Sequence, residues 1–197
     1  MTAIIDYGAG NLRSVQNTLN ELGATYVVTN RAEEIAKADK LLLPGVGHFG
    51  QMMTAIDRLE LRDPIAERVR ACVPLLGICL GLQCMFESSA EAPGKEGFGF
   101  FPDMIQRFNG DVRVPHMGWD SLDMVKDSKL LKGVGQEPFT YFAHSFYAPV
   151  VDATVATCTY SVAYTAILEH DNLFGVQFHP EKSGATGLRI VKNFLDL

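Results

Sequence analysis

The apolar residues in the first part of the chain fall into short runs that alternate with stretches of helical spacing. Strand-sized apolar runs occupy residues 2–5, 26–28, 40–43 and 73–76. Between the first two runs, Leu12, Val15 and Leu19 recur as on one helix face, and Gly23 follows where a C-cap glycine belongs. Short helices are also predicted over 32–38 and from an N-cap at Asp63. Strands that alternate with helices predict a parallel sheet, which places function at the carboxyl ends of its strands.

The pattern changes after residue 102, where short β-rich runs follow one another with few helical signals. These runs cover residues 104–108, 119–125, 140–147, 154–160, 164–168 and 173–178. They predict an antiparallel layer added to the parallel core, so that residues 1–197 form a single domain. A final amphipathic helix is predicted around Leu188, Val191 and Phe194.

One cysteine lies between two glycines in Gly77-Ile78-Cys79-Leu80-Gly81, directly after the apolar run 73–76. A strand that turns abruptly into a helix and presents a reactive side chain needs residues without a Cβ where backbones crowd. Residues 80–86 predict that helix, whose N-terminal amides would favour the thiolate of Cys79. The pentapeptide makes Cys79 the best nucleophile candidate, although a buried structural cysteine fits it equally well.

A histidine and a carboxylate stand two residues apart in His179-Pro180-Glu181, after the strand-like run 174–178. Pro180 favours an extended backbone at His179, and alternate residues of an extended segment share one face. Glu181 can therefore orient the ring of His179. With Cys79 these residues supply the parts of an activated-nucleophile triad, which requires proximity in space and not in sequence.

Composition favours a globular enzyme with a small-molecule substrate or a protein partner. The 197 residues are 47% hydrophobic and carry a net charge of −6, which argues against nucleic acid as a partner. The apolar runs are too short to span a membrane, and no signal segment precedes the first strand. Four cysteines without a C-x-x-C pair predict a reducing cytoplasm, with Cys72 and Cys84 in the core.

The remaining histidines do not suggest a metal site. His116, His144 and His170 lack the H-x-x-x-H spacing of a zinc-binding helix, and no cysteines cluster with them. Structural roles are expected for all three, and no metal or other cofactor is expected.

These motifs resemble a known family. Residues 77–83 together with His179-Pro180-Glu181 are similar to the triad-type class I glutamine amidotransferases, whose glutaminase domains release ammonia from glutamine. Residues 44–49, 115–119 and 179–183 are similar, more narrowly, to the glutaminase subunits of imidazole glycerol phosphate synthases, which act in histidine biosynthesis. The resemblance runs from Ile4 to the C-terminus. It implies a flavodoxin-like α/β fold with a mostly parallel central sheet flanked by helices.

The resemblance also implies a reaction and a set of site residues. Cys79 would attack the side-chain amide of glutamine, and His179, oriented by Glu181, would protonate the departing ammonia. The N–H groups of Leu80 and Val46 would form the oxyanion hole. Contacts to glutamine would come from Gly47, Gln83, His144, Ser145 and Phe146.

A heterodimer partner is implied as well, a cyclase subunit built as a (β/α)₈ barrel that consumes the ammonia. Asn11, Trp119, Tyr141 and Lys182 are expected to face it. For Asn11 a helix N-cap is the alternative, and for Trp119 an ordinary core or surface position. Because Gly45 and Gly47 let the peptides around Val46 rotate, an inactive loop is expected that the partner switches on.

Two other functions fit the same residues. Another enzyme on this scaffold, such as the glutaminase of anthranilate synthase or a γ-glutamyl hydrolase, would share the triad but not Lys182 and residues 115–119. A catalytically inactive interaction subunit would keep the fold without turnover. Binding to the cyclase barrel tests the first alternative, and labelling of Cys79 by a glutamine-analogue electrophile tests the second.

Overall fold

The computed structural model describes residues 1–197 and is built around an eight-stranded sheet. The strands are β1 Thr2–Ile5, β2 Tyr26–Thr29, β3 Lys40–Gly45, β4 Leu75–Cys79, β5 Phe86–Ser89, β6 Phe101–Arg107, β7 His116–Ser121, β8 Asp123–Met124, β9 Phe139–His144, β10 Phe146–Tyr147, β11 Thr154–Thr159, β12 Ala163–His170 and β13 Leu173–Val176. The helices are α1 Leu12–Glu21, α2 Ala32–Lys37, α3 Phe49–Arg58, α4 Arg62–Arg70, α5 Leu80–Gln83 and α6 Gly184–Leu195, with a 3₁₀ turn at Pro180–Lys182. None of the helices combines the length and hydropathy that crossing a membrane requires.

The central sheet has the order β2-β1-β3-β4-β13-β12-β11-β8. Its first five strands are parallel, which confirms the predicted parallel core. The antiparallel strands β12, β11 and β8 extend the same sheet at one edge. The rest of the β-rich segment forms two small sheets, β10-β6-β5 and the antiparallel pair β7-β9.

Two hydrophobic clusters cover the two faces of the central sheet, because successive strand residues point to opposite sides. Ala3 and Ile5 of β1 pack into one cluster, whereas Ile4 packs into the other. Helices α2, α3 and α4 contribute buried residues to the first cluster, and α1 and α6 to the second. The flanking helices thus sandwich the sheet, as the alternating pattern predicted.

Some local predictions are wrong. The helix after Cys79 ends at Gln83, because the chain turns at once into β5. Helix α4 has Leu61 at its N-cap, and Asp63 lies inside its first turn. Cys72 is exposed in the turn between α4 and β4, with φ 61°, whereas Cys84 is fully buried as expected.

Strand register places three segments side by side at the carboxyl edge of the sheet. Gly45 of β3 lies opposite Cys79 of β4, and Val176 of β13 lies opposite Ile78. Because the chain continues beyond both neighbours, the loop after Gly45 and the segment from Gln177 to His179 flank the end of β4.

Candidate active site

Cys79 occupies a strained turn between β4 and α5. Its φ of 54° and ψ of −107° lie where a residue with a side chain rarely sits, and only 6% of its surface is exposed. Gly81 permits this turn, since a Cβ there would lie 1.8 Å from the carbonyl oxygen of Leu43. The backbone therefore has the geometry of a nucleophile elbow. Because α5 has only four residues, its dipole is small. Stabilisation of a Cys79 thiolate therefore depends on neighbouring side chains and not on the helix.

His179 and Glu181 form a buried pair beside Cys79. The Nδ1 atom of His179 lies 3.0 Å from Oε1 of Glu181, and the two side chains are 6% and 3% exposed. Burial opposes protonation of His179, but hydrogen bonds and charge from Cys79 and Glu181 outweigh it and raise its pKa to about 10. An imidazolium beside the sulfur favours the thiolate of Cys79.

The backbone of His179 is tied to strand β9 by a ring of three hydrogen bonds. The N–H of His179 donates to the carbonyl oxygen of Tyr141 at 2.9 Å. The N–H of Tyr141 donates to Oγ of Ser183 at 2.9 Å, and that hydroxyl donates to the carbonyl oxygen of His179 at 2.7 Å. The position of the histidine is thus fixed through β9.

Cys79 and His179 open into a cavity of about 250 Å³. Every residue predicted for the oxyanion hole and for glutamine binding lines it: Val46, Leu80, Gly47, Gln83, His144, Ser145 and Phe146. Glu91, Pro115 and Ala143 complete the lining. Glu91 was not predicted and is the cavity's acidic residue; one of its carboxylate oxygens accepts from the N–H of Phe49 at 2.7 Å. No three His, Cys, Asp or Glu side chains lie close enough together to hold a metal ion.

The N–H of Val46, a predicted oxyanion-hole donor, is already engaged in a hydrogen bond within the protein. It donates to the hydroxyl of Tyr7 at 3.2 Å, and that hydroxyl lies 3.4 Å from the carbonyl oxygen of Val46. Gly47, the residue after Val46, adopts φ 101° with nothing within 4 Å of the position a Cβ would take, so the loop is not sterically confined on that side. Gly45 was expected to let the loop rotate. In the structure it allows close packing of β3 against α5, because a Cβ there would lie 2.6 Å from the nitrogen of Gly81.

Gln83 contributes to the site through its amide. Its Nε2 donates to the carbonyl oxygen of Phe146 at 2.7 Å and to Oε1 of Gln177 at 3.1 Å. The Nε2 of Gln177 then donates to Sγ of Cys79 at 3.6 Å. Gln177 is fully buried and was not predicted, although a lone polar residue within the apolar run 174–178 was a signal.

His116 and His144 lie in a buried aromatic cluster. The hydroxyl of Tyr164 lies 3.1 Å from Nδ1 of His116 and 3.3 Å from Nε2 of His144. Burial lowers the pKa of both histidines, that of His144 to about 3, so both rings are neutral. His170 is exposed at the end of β12.

Three of the four predicted partner residues form one surface. Trp119 and Tyr141 are cross-strand neighbours on β7 and β9 with ring centroids 6.2 Å apart, and Nζ of Lys182 lies 5.6 Å from the centroid of Tyr141. Trp119 is 55% exposed, so it is not a core residue. Asn11 lies separately at the N-cap position of α1, where its side chain makes no capping hydrogen bond.

Comparison with known proteins identifies the family of the chain. A family model for class-I glutamine amidotransferases matches residues 3–197. The imidazole glycerol phosphate synthase subunit HisH of Methanothermobacter thermautotrophicus is 46% identical over 198 residues, which cover 100% of this chain and 98% of that protein. The subunit of the same name from Methanocaldococcus jannaschii is 42% identical, with 100% of both chains covered.

Solved structures share the fold at low sequence identity. A crystal structure of a glutamine amidotransferase aligns with a TM-score of 0.78 at 17% identity and covers 99% of this chain and 97% of that one. PurLQS from Thermotoga maritima aligns with a TM-score of 0.72 at 17% identity over the same shares of the two chains. From the family model and the full-length relatives together, the chain belongs to the class-I glutamine amidotransferases, within the family named imidazole glycerol phosphate synthase subunit HisH.

Proposed function

We propose that this protein hydrolyses glutamine to glutamate and ammonia through Cys79, His179 and Glu181. The observation that carries the proposal is the convergence of a strained, buried cysteine and a buried His–Glu pair on one cavity. The chain acts as one domain, because strands from both ends of the sequence share the central sheet. All four cysteines are free thiols, which suits a reducing cytoplasm.

The reaction proceeds through a covalent thioester. The Cys79 thiolate attacks the side-chain carbonyl carbon of glutamine, and the N–H of Leu80 donates to the oxyanion that forms. Protonated His179 gives its proton to the amide nitrogen as the carbon–nitrogen bond breaks and ammonia leaves. His179 then accepts a proton from water, whose oxygen attacks the thioester and releases glutamate and the thiolate. Glu181 holds the ring in orientation throughout.

The cavity also suits the amino-acid end of glutamine. Glu91 supplies a negative charge for the α-ammonium group, since it is the cavity's acidic residue. The Oε1 of Gln83 remains an acceptor because its Nε2 is engaged by Phe146 and Gln177. Glu91→Gln should therefore raise KM for glutamine more than it lowers kcat.

The partner is a cyclase subunit with a (β/α)₈ barrel, which uses the ammonia to make imidazole glycerol phosphate. The proposal is supported by an exposed apolar face on β7 and β9, where Met117, Trp119 and Phe139 are 62%, 55% and 55% exposed. An apolar face flanked by a lysine is typical of a protein interface. Asn11, which follows β1 at the carboxyl edge of the central sheet, is proposed as a further contact.

Docking of the partner would switch on the glutaminase. In the free chain the Val46 N–H is held by Tyr7, so the oxyanion hole lacks one of its two proposed donors. Loss of one donor costs about 10²–10³ in turnover. Rotation of the Gly45–Val46 peptide would aim the Val46 N–H into the cavity when the partner is bound.

The direct test is glutamine hydrolysis by the purified chain with and without the cyclase subunit. We expect low activity alone and a steep rise in the complex, with a further rise on adding the cyclase's nucleotide substrate. Equal rates alone and in the complex would contradict the switch. A glutamine-analogue electrophile should modify Cys79. Modification of another cysteine, or none, would favour the interaction-subunit alternative, and failure to bind the cyclase would favour another enzyme on the same scaffold.

A further inference from the structure

A chain of amides leads from a backbone carbonyl to the sulfur of Cys79. Carbonyl oxygens only accept hydrogen bonds, so the 2.7 Å contact with the carbonyl of Phe146 fixes the nitrogen of Gln83 on that side. The same nitrogen lies 3.1 Å from Gln177, which must therefore present its oxygen to Gln83. The remaining nitrogen of Gln177 faces Sγ of Cys79 at 3.6 Å. The orientation of both side-chain amides is thus determined by one backbone carbonyl.

We propose that Gln177 is a positioning residue, which holds a fixed N–H donor on the sulfur of Cys79 and thereby favours the thiolate rotamer that faces the cavity. The inference rests on the proposed role of Cys79 as the nucleophile. Gln177 lies on the segment that follows β13, two residues before His179, so the base and this donor approach the sulfur from the same segment. Because Gln177 is fully buried, no water competes for its amide.

The surroundings of Cys79 make such a donor effective. Titratable neighbours that interact electrostatically with Cys79 include His179, Tyr7, Cys84 and Tyr164, and Glu91 lines the same cavity. Burial raises the pKa of Tyr7 to about 12 and also raises the pKa values of Cys84 and Tyr164, so these three groups stay neutral near pH 7. Positive charge at the sulfur therefore comes from His179 alone. Gln177 adds a neutral N–H donor to that charge, which acts on the thiolate before glutamine reacts and again when hydrolysis of the thioester restores it.

The test replaces Gln177 with Met, which has a similar length and volume but no N–H. The Cys72→Ser background removes the exposed thiol, so that iodoacetamide reports on Cys79. Alkylation rates across pH give the pKa of the Cys79 thiol. A hydrogen bond to a charged group accounts for about one pKa unit, so the variant's thiol pKa should rise by about one unit and its alkylation near pH 7 should slow up to about tenfold. A merely structural glutamine would lower the melting temperature without moving the thiol pKa, and that result overturns the proposal.

A second measurement uses the unmodified side chain and does not depend on the variant's folding. In the Cys72→Ser protein, the side-chain amide resonances of Gln177 should shift with pH in step with Cys79 alkylation. The shift should disappear in Cys72→Ser/Cys79→Ser. Amide resonances that do not follow the thiol would overturn the proposal. Neither readout requires glutaminase activity. If Gln177 affects the Cys79 thiol as expected but the protein does not hydrolyse glutamine, only the proposed function is contradicted.

Discussion

The amide nitrogen of Val46 lies 3.2 Å from the hydroxyl of Tyr7, to which it donates a hydrogen bond. Tyr7 follows β1 and Val46 follows β3, so the contact links two loops at the carboxyl edge of the sheet. The hydroxyl is protonated across the physiological range, because burial raises the pKa of Tyr7 to about 12. The loop is therefore held in this position by a hydrogen bond between neutral groups.

Tyr7→Phe removes that hydrogen bond and keeps the ring. We expect the basal glutaminase rate of the isolated chain to rise, by up to about 10²-fold, because the Val46 N–H is released. The rate in the complex should change little. Tyr26→Phe is a matched control, since it removes a hydroxyl that bonds Asn20 on the surface. An unchanged basal rate in Tyr7→Phe would show that Tyr7 does not restrain the loop.

Cys79→Ala should abolish glutamine-dependent synthesis by the complex and leave ammonia-dependent synthesis intact. The reason is that the proposed cyclase partner, and not this chain, would use the ammonia. Both activities are measured on the same purified complex, with glutamine or an ammonium salt as the nitrogen source. Equal loss of both would indicate a folding defect or a wrong assignment of the nucleophile.

Glu181→Gln should lower glutaminase turnover strongly, up to about 10⁴-fold, but less than Cys79→Ala. The amide retains part of the orientation of His179 and loses the charge that stabilises the imidazolium. Steady-state kinetics in the intact complex measure the effect, with KM for glutamine as the internal control. Near-normal turnover would remove Glu181 from the triad.

The pKa of His179 gives a prediction for stability. Its folded value of about 10 is above the ordinary 6.5, so the protonated ring stabilises the fold below about pH 6.5, and that contribution is lost as the pH rises through about 10. The free energy of unfolding should therefore fall more steeply between these pH values in the wild type than in Glu181→Gln. Urea denaturation across this range measures the slopes. If NMR showed the ring of His179 titrating near pH 6.5, that result would contradict the pairing of His179 with Glu181.

Trp119→Ala should weaken binding of the cyclase subunit without altering the glutaminase site. A buried interface tryptophan typically contributes about 2 kcal/mol or more, so Kd should rise about 30-fold or more in calorimetric titrations. Val150→Ala is the matched control, because Val150 is 52% exposed but lies outside β7 and β9. Equal effects of the two substitutions would argue against the β7–β9 face as the interface.

The parallel core was predictable because its strands are buried on both faces and so appear as continuous apolar runs. The same reasoning predicts that Cys79 and the loop after Gly45 lie at one edge of the sheet, where the register of β3 and β4 puts them. Cys72 was misplaced because α4 ends at Arg70, and the turn that follows its C-cap Ala71 takes the thiol into solvent. Helix α3 was absent from the expectation, although Phe49, Met52 and Ile56 keep helical spacing.

Polar partners of the site were harder to predict, since they depend on tertiary contacts. Gln177 and Cys79 are 98 positions apart, and Gln83 and Gln177 are 94 apart. Their pairing follows only from the register of β13 against β4. The sequence likewise gives no sign of the role of Tyr7, because its contact with Val46 depends on the pairing of β1 with β3.

The ring of hydrogen bonds at Tyr141 couples the proposed partner-binding face of strand β9 to the position of His179. The side chain of Tyr141 belongs to the face beside Trp119 and Lys182, while its peptide groups hold His179 directly and through Ser183. A substitution that shifts this backbone to suit an altered partner would also shift His179, the proposed base. A substitution in β9 that adapts the proposed interface to a changed partner would therefore be selected for its effect on turnover at the same time.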